Sequence, residues 1–200
     1  RGLTTLANLA NNPGLTDLNA SGDNPTDLIR QWGVGAQTEL LFVPAGTSRA
    51  TDPARFFRSP AFATAMPALT EGQDLVILDA PPILAVAETT DIVHQADAVI
   101  IVDASELNEA PGTLRLMRNE EIDQQLSGKK RTVHEVALLD LFSAAGIRGR
   151  MPAERVLIAI QPGCTEWGVD LTPAVKAALP GACNAVRQLV IEWQATEQAA

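Results

Sequence analysis

The 200 residues are 46% hydrophobic, which suits one domain with a sizeable core. A formal net charge of −9 argues against a nucleic-acid partner, because phosphate binding requires clustered Lys and Arg. No apolar run approaches the roughly 18 residues of a membrane-spanning helix, and no secretory signal pattern opens the chain. Together with two cysteines that lack C-x-x-C spacing, these features predict a cytoplasmic protein.

Short apolar runs alternate with helical patterns along the chain. The runs are bounded by Gly, Pro or Asp, as in strands buried on both faces, and they lie at 39–43, 74–78, 98–102 and 156–160. The alternating run 113–117 predicts an edge strand. Helices are predicted from Asn24-Pro25, over 84–95, over 134–145 and from Thr172-Pro173 to about Trp193. Pro180-Gly181 should kink or interrupt the last helix.

This alternation of strands and helices predicts the fold class. It is typical of an α/β protein with three layers, in which a mostly parallel sheet carries helices on both faces. Cys183 falls within the last helical pattern and is predicted to lie in the core, while Cys164 is interpreted as an incidental thiol.

Two aspartates follow predicted buried strands. Asp79 follows the run 74–78, Asp103 follows 98–102, and His134 lies in a loop just ahead of a helix. Ligands of open α/β sheets bind beyond the carboxyl ends of the strands, so these side chains are expected at one edge. Carboxylate and imidazole groups suit a divalent metal such as nickel or zinc. The alternative is that the aspartates cap loops and the histidine is a surface residue.

Two other kinds of site find no support in the sequence. The phosphate-binding pattern G-x-x-x-x-G-K-[ST] is absent, which argues against ATP and magnesium as cofactors. The nucleophile elbow G-x-S-x-G is also absent, which argues against a serine hydrolase of that type.

The second half of the chain carries several motifs in a fixed order. They are PGTLRL at 111–116, SGKK at 127–130, His134, RVLIAIQP at 155–162, TEWG at 165–168 and LTPAV at 171–175. Over about residues 96–196 this order resembles the hydrogenase maturation endopeptidases, which trim the C-terminus of the nickel-containing hydrogenase large subunit. The resemblance implies a large-subunit precursor as partner and nickel as the metal.

The same resemblance implies roles for individual residues. Asp103 and His134 match two of the family's three metal-contacting residues. The third, a Glu after the family's first strand, has no counterpart here, and Asp79 is the candidate replacement. Further residues are candidates for substrate binding: Lys129 and Lys130 for a tail carboxylate, and Glu166 and Trp167 for framing the entering peptide. The alternative for these four residues is that they belong to solvated loops.

The first half of the chain carries a different series of motifs. They are NPGLTDL at 12–18, WGV at 32–34, VPAGT at 43–47, SPAF at 59–62 and DLVILDAPP at 74–82. Over about residues 1–102 they resemble the ATPase domain of bacterial tyrosine kinases and related exopolysaccharide chain-length proteins, without the Walker A loop. This resemblance implies that Asp79 ends a Walker B strand and is oriented toward magnesium.

The chain is therefore predicted to be one α/β domain, with a kinase-like half at 1–97 joined to a protease-like half at 98–200. The favoured function is a nickel-dependent endopeptidase that trims a hydrogenase large subunit. One alternative is an ATPase or kinase-like domain without its nucleotide loop. The other is a chimeric or designed α/β module without catalysis.

Overall fold

The computed structural model describes residues 2–9, 12–18, 24–34, 38–47, 56–80, 88–93, 95–127, 133–164 and 170–197. These residues divide into two compact units, Arg1–Val76 and Ile77–Ala200. The join near residue 97 that the sequence suggests, at the strand that both resembled families could supply, stays a prediction.

The first unit is built around an antiparallel hairpin. Its elements are α1 (Gly2–Leu6), 3-10 helices at Leu15–Asp17 and Pro25–Leu28, β1 (Arg30–Val34), β2 (Thr38–Phe42) and α2 (Pro60–Thr70). The hairpin pairs β1 with β2, so the strand predicted at 39–43 is confirmed. Its predicted burial on both faces is wrong, because Leu40 and Leu41 are 45% and 54% exposed. In the described residues β2 belongs to a two-stranded ribbon rather than to a covered parallel sheet.

A carboxylate holds the turn before the first 3-10 helix. Asp17 Oδ2 accepts hydrogen bonds from the backbone N–H groups of Gly14 (2.9 Å) and Thr47 (2.8 Å). The backbone N–H of Leu15 donates to the Pro44 carbonyl at 3.0 Å. A Cβ at position 14 would overlap that carbonyl oxygen, so the close approach of the two segments requires glycine.

Side-chain caps start two helices in this unit. Asn24 Oδ1 accepts from the N–H of Thr26 at 3.3 Å, so the helix start predicted at Asn24-Pro25 is confirmed, although the helix is a short 3-10 turn. Ser59 Oγ accepts from the N–H of Phe62 at 3.2 Å and starts α2. Each cap satisfies an N–H group that has no partner inside its own helix.

The described residues of the second unit form a three-stranded sheet with helices on both faces. Its elements are α3 (Glu88–Val93), β3 (Ala98–Ala104), β4 (Leu114–Arg118), α4 (Glu120–Leu126), α5 (Val133–Ile147), β5 (Glu154–Ile160) and α6 (Pro173–Glu197). The strand order is β3-β5-β4, in which β3 is parallel and β4 antiparallel to β5. The α/β class, the parallel pairing and the edge strand at 113–117 are confirmed.

The central strand β5 separates two apolar clusters. On one face, α4 and α5 pack Ile122, Leu126, Leu138 and Phe142 against strand residues that include Ile101 and Leu157. On the other face, α6 packs Ala182 and Leu189 against Val156, Ile158 and Ile160. Residues 155–160 of β5 are all buried, as expected for a strand covered on both faces.

The strand predicted at 74–78 is wrong. The structure describes residues 74–80 without regular secondary structure, and Leu75 and Ile77 are 44% and 76% exposed. An apolar run becomes a strand only when a neighbouring strand supplies hydrogen-bond partners. In the described residues β3 lies at an edge of the sheet and pairs only with β5. This edge position also leaves Val102 of β3 47% exposed. The prediction that the run 98–102 is buried on both faces is therefore wrong too.

The last helix bears on two further predictions. α6 runs without a break through Pro180, so an interruption at this position is wrong, whereas a kink there stays a prediction. Pro180 is solvent-exposed, so water can hydrate the carbonyl that proline leaves without a helical partner. Cys183 is exposed rather than in the core. The helix buries Ala182 against the sheet, and a helical step of about 100° turns the next residue away from it.

Within the described residues, no helix combines the length and the apolar character that crossing a membrane requires. The cytoplasmic location expected from the sequence stays a prediction.

Candidate functional site

Asp103 lies at the carboxyl end of β3, where the sequence predicts a ligand-binding edge. It pairs with Ala159 of β5, and Ala159 pairs in turn with Arg115 of β4. Directly opposed residues of a sheet point to the same face, so Asp103 and Arg115 flank the small, fully buried Ala159. Two strand spacings separate their backbones by about 10 Å. The edge therefore offers one carboxylate and one guanidinium on a common face.

The Asp103 side chain is half-buried at this edge. Its Oδ1 atom accepts the backbone N–H of Ala104 at 2.8 Å. β3 continues to Ala104, so Asp103 is paired within the ladder rather than placed just after it. Asp103 is therefore the last but one paired residue of β3.

The guanidinium at this edge forms an exposed ion pair. Arg115 Nη2 lies 3.2 Å from Glu109 Oε1, with about half of each side chain exposed. A pair so exposed to water contributes little to stability. Its effect is to present adjacent positive and negative groups beside the carboxyl ends of β3 and β5.

A buried glutamine organises the loop that follows β3. Gln161 directly follows β5 and is 5% exposed. Its Oε1 atom accepts the backbone N–H groups of Leu107 (2.7 Å) and Glu109 (3.3 Å), and its Nε2 donates to the Pro162 carbonyl at 3.2 Å. The sequence analysis did not single out this residue. The available signal was a polar side chain placed directly after the apolar run 156–160.

The structure does not place Asp79 where the sequence predicts it. Asp79 is exposed and lies in the irregular segment 74–80, so it does not end a strand beside Asp103. The argument that placed both carboxylates at one edge is wrong for this residue, because the strand it assumed is absent. Its role as a third metal ligand stays a prediction without that support.

His134 is the second residue of α5 rather than a loop residue. Its side chain lies outside the described part of the structure, as do Lys129, Lys130, Glu166 and Trp167. Cys164 is exposed, three residues beyond Gln161. Among the residues that the structure describes, no three His, Cys, Asp or Glu side chains are grouped so as to hold a metal ion.

Comparison with known proteins concerns the segment that contains this edge. Residues 84–189 match the family model of hydrogenase maturation proteases. This segment includes β3, β4, β5 and the first part of α6. The similarity of residues 1–102 to an ATPase domain stays a prediction.

Individual relatives agree with the family model. The chain is 34% identical over 104 residues to the hydrogenase expression/formation protein HupD of Bradyrhizobium diazoefficiens, covering 52% of this chain and 54% of HupD. It is 36% identical over 92 residues to the hydrogenase 2 maturation protease of Escherichia coli, covering 45% and 55%. The chain thus spans about half the length of the curated relatives it matches.

A solved structure is also similar. The hydrogenase maturating endopeptidase HybD from Escherichia coli is 30% identical, with a TM-score of 0.50. The similarity covers 54% of this chain and 67% of HybD. The α/β fold of the second unit is consistent with the fold of that protein.

Proposed function

This chain belongs to the hydrogenase maturation protease family, and from that premise we propose that it is an endopeptidase that trims the C-terminus of a hydrogenase large-subunit precursor. The observation that carries the proposal is the family match over 84–189, a segment that includes both Asp103 and His134. The half-buried carboxylate of Asp103 at the carboxyl end of the parallel strand pair supports it.

Two side chains would contact the nickel of the precursor. Asp103 would supply a carboxylate oxygen from the paired end of β3, and His134, at the start of α5, would supply an imidazole nitrogen. Nitrogen and oxygen ligands of this kind are compatible with nickel. The metal, bound by the substrate, would polarise the scissile carbonyl for attack by water. Asp103 and His134 would orient the precursor by holding its metal.

The first test is nickel binding by the full chain, measured by isothermal titration calorimetry. We expect binding in the parent chain and at least about a tenfold loss of affinity in Asp103→Ala and in His134→Ala. Asp97→Ala is the matched control, because Asp97 is an exposed aspartate just before the opposite end of the same strand. Asp79→Ala tests the predicted third ligand. Absence of nickel binding in the parent chain would exclude the proposed metal contact.

The second test is cleavage of the substrate itself. A nickel-loaded large-subunit precursor is incubated with the chain, and mass spectrometry measures loss of its C-terminal peptide. We expect one cleavage product, strongly reduced with Asp103→Ala and unchanged with Asp97→Ala. A precursor that stays intact with the parent chain would favour the alternative of a folded module without catalysis.

A further inference from the structure

The loop after Asp103 is anchored by residues distant in the sequence. The N–H of Ser105 donates to the Ile160 carbonyl at 3.1 Å, which extends the β3–β5 ladder by one bond. Beyond that point, the Gln161 side chain accepts the N–H groups of Leu107 and Glu109 at 2.7 and 3.3 Å. A buried amide side chain therefore supplies two of the hydrogen bonds that hold the loop next to the candidate site.

The backbone of Gln161 is fixed independently of this loop. Its N–H donates to the Thr113 carbonyl at 2.9 Å, and its carbonyl accepts the N–H of Gly112 at 2.9 Å. These two bonds connect the end of β5 to the chain entering β4. The amide side chain therefore extends from a backbone that is hydrogen-bonded on both sides, and its own hydrogen bonds hold the loop in place.

We propose that Gln161 is a positioning residue, which holds the loop after β3 so that the Asp103 carboxylate keeps its place at the site. This inference rests on the proposed function, since its consequence is measured on nickel. The Leu107 N–H is the sensitive group, because Leu107 is 5% exposed and its bond to Gln161 is the shorter of the two. Without the acceptor, this buried N–H can be satisfied only if the loop moves. The end of β3 that carries Asp103 would then fray.

A second glutamine also reaches this loop. Gln125 of α4 donates from Nε2 to the Glu106 carbonyl at 3.2 Å. That bond uses the carbonyl of a half-buried residue. The Leu107 and Glu109 N–H groups depend on Gln161 instead, so the two glutamines can be separated by substitution.

The test compares two substitutions of one side chain in the full chain. Gln161→Met has a similar shape and lacks the acceptor oxygen, whereas Gln161→Glu keeps an acceptor for both N–H groups. For Gln161→Met we expect the nickel affinity to fall about 10- to 100-fold, as for removal of a residue that orients a metal ligand. The Leu107 and Glu109 amides should exchange hydrogen faster, while the β5 amides keep their protection.

For Gln161→Glu we expect most of the nickel affinity to return. Because this variant adds a negative charge, the rescue must also appear as slow exchange of the Leu107 amide. Asp123→Ala is the stability control, since Asp123 contacts Arg155 near the opposite end of β5. It should lower the melting temperature and leave the nickel affinity unchanged.

Each outcome supports or overturns the inference. Nickel binding that is lost with Asp103→Ala and kept with Gln161→Met would overturn it and leave the proposed function standing. An equal loss of nickel affinity in Gln161→Met and Asp123→Ala would overturn the inference, because it would show that Gln161 acts only through the stability of the fold. Slow exchange of the Leu107 amide in Gln161→Glu without recovery of the nickel affinity would overturn the inference, because the loop would then be held without effect on the site. Absence of nickel binding in the parent chain would exclude the proposed metal contact and overturn the inference with it, while the cleavage assay tests the proposed endopeptidase activity separately.

Discussion

The ion pair between Arg155 and Asp123 should respond asymmetrically to removal of its two partners. Arg155 Nη1 and Nη2 contact the two carboxylate oxygens at 2.9 and 3.1 Å, and the guanidinium lies 4.9 Å from the centroid of the Phe142 ring. The Arg155 side chain is 10% exposed, whereas that of Asp123 is 51% exposed. Asp123→Ala leaves a buried cation without its carboxylate, but Arg155→Met leaves a carboxylate that water can solvate.

The expected free energies of unfolding follow from this difference in burial. Removing one partner of a fully buried pair costs about 3–5 kcal/mol, and the half-exposed partner reduces the expected cost of Asp123→Ala to about 2–3 kcal/mol. Arg155→Met keeps the apolar stem and should cost about 1–1.5 kcal/mol, the typical net value of a hydrogen bond. The loss of stability in the double variant should be close to that in Arg155→Met alone. Once Arg155 is replaced, Asp123 has no buried cation to compensate, so its removal adds little.

Amide hydrogen exchange of β5 is the assay that reports on this unit. The free energy of opening of the Val156 to Ile160 amides should fall more in Asp123→Ala than in Arg155→Met. Arg115→Met is the matched control at the other end of the neighbouring strand, where an exposed pair should contribute less than about 1 kcal/mol. An equal or larger loss in Arg155→Met would refute the argument that burial of the cation decides the cost.

Three further substitutions test local conformation. Gly112→Ala should cost about 1–3 kcal/mol in urea unfolding, because Gly112 has φ +85° and a Cβ would lie 2.6 Å from the Ala174 carbonyl oxygen; unchanged stability would contradict this. Gly14→Ala should break the contact with the Pro44 carbonyl, and the Leu15 amide, which donates to that carbonyl, should then lose its protection from hydrogen exchange. Pro180→Ala should stabilise α6 by up to about 3 kcal/mol, because it restores a helical hydrogen bond at an exposed position, and a lower melting temperature would contradict it.

The candidate site was predictable only in part. Asp103 follows an apolar run in the sequence. A run of that length and composition predicts a strand, and the residue after it marks the strand end if the run pairs with a neighbouring strand. Gln161 could not be assigned its role, because its partner Leu107 is 54 residues away in the chain. Asp79 follows a run of the same kind, yet the structure leaves that run unpaired. Local composition is the same in both cases, and only the presence of a neighbouring strand separates them.

The sequence by itself determined the alternation of elements, the α/β class and the strand character of 98–102 and 156–160, because apolar periodicity and helix caps act within a few residues. Only the tertiary structure decided which strand lies at the centre. In the described residues β5 has a neighbour on each side and a helix layer on each face, so it is buried from Arg155 onward. β3 has one neighbour, so Val102 remains about half exposed although its run is equally apolar. Burial depends on contacts between residues that are distant in the chain, which the pattern of one segment does not encode.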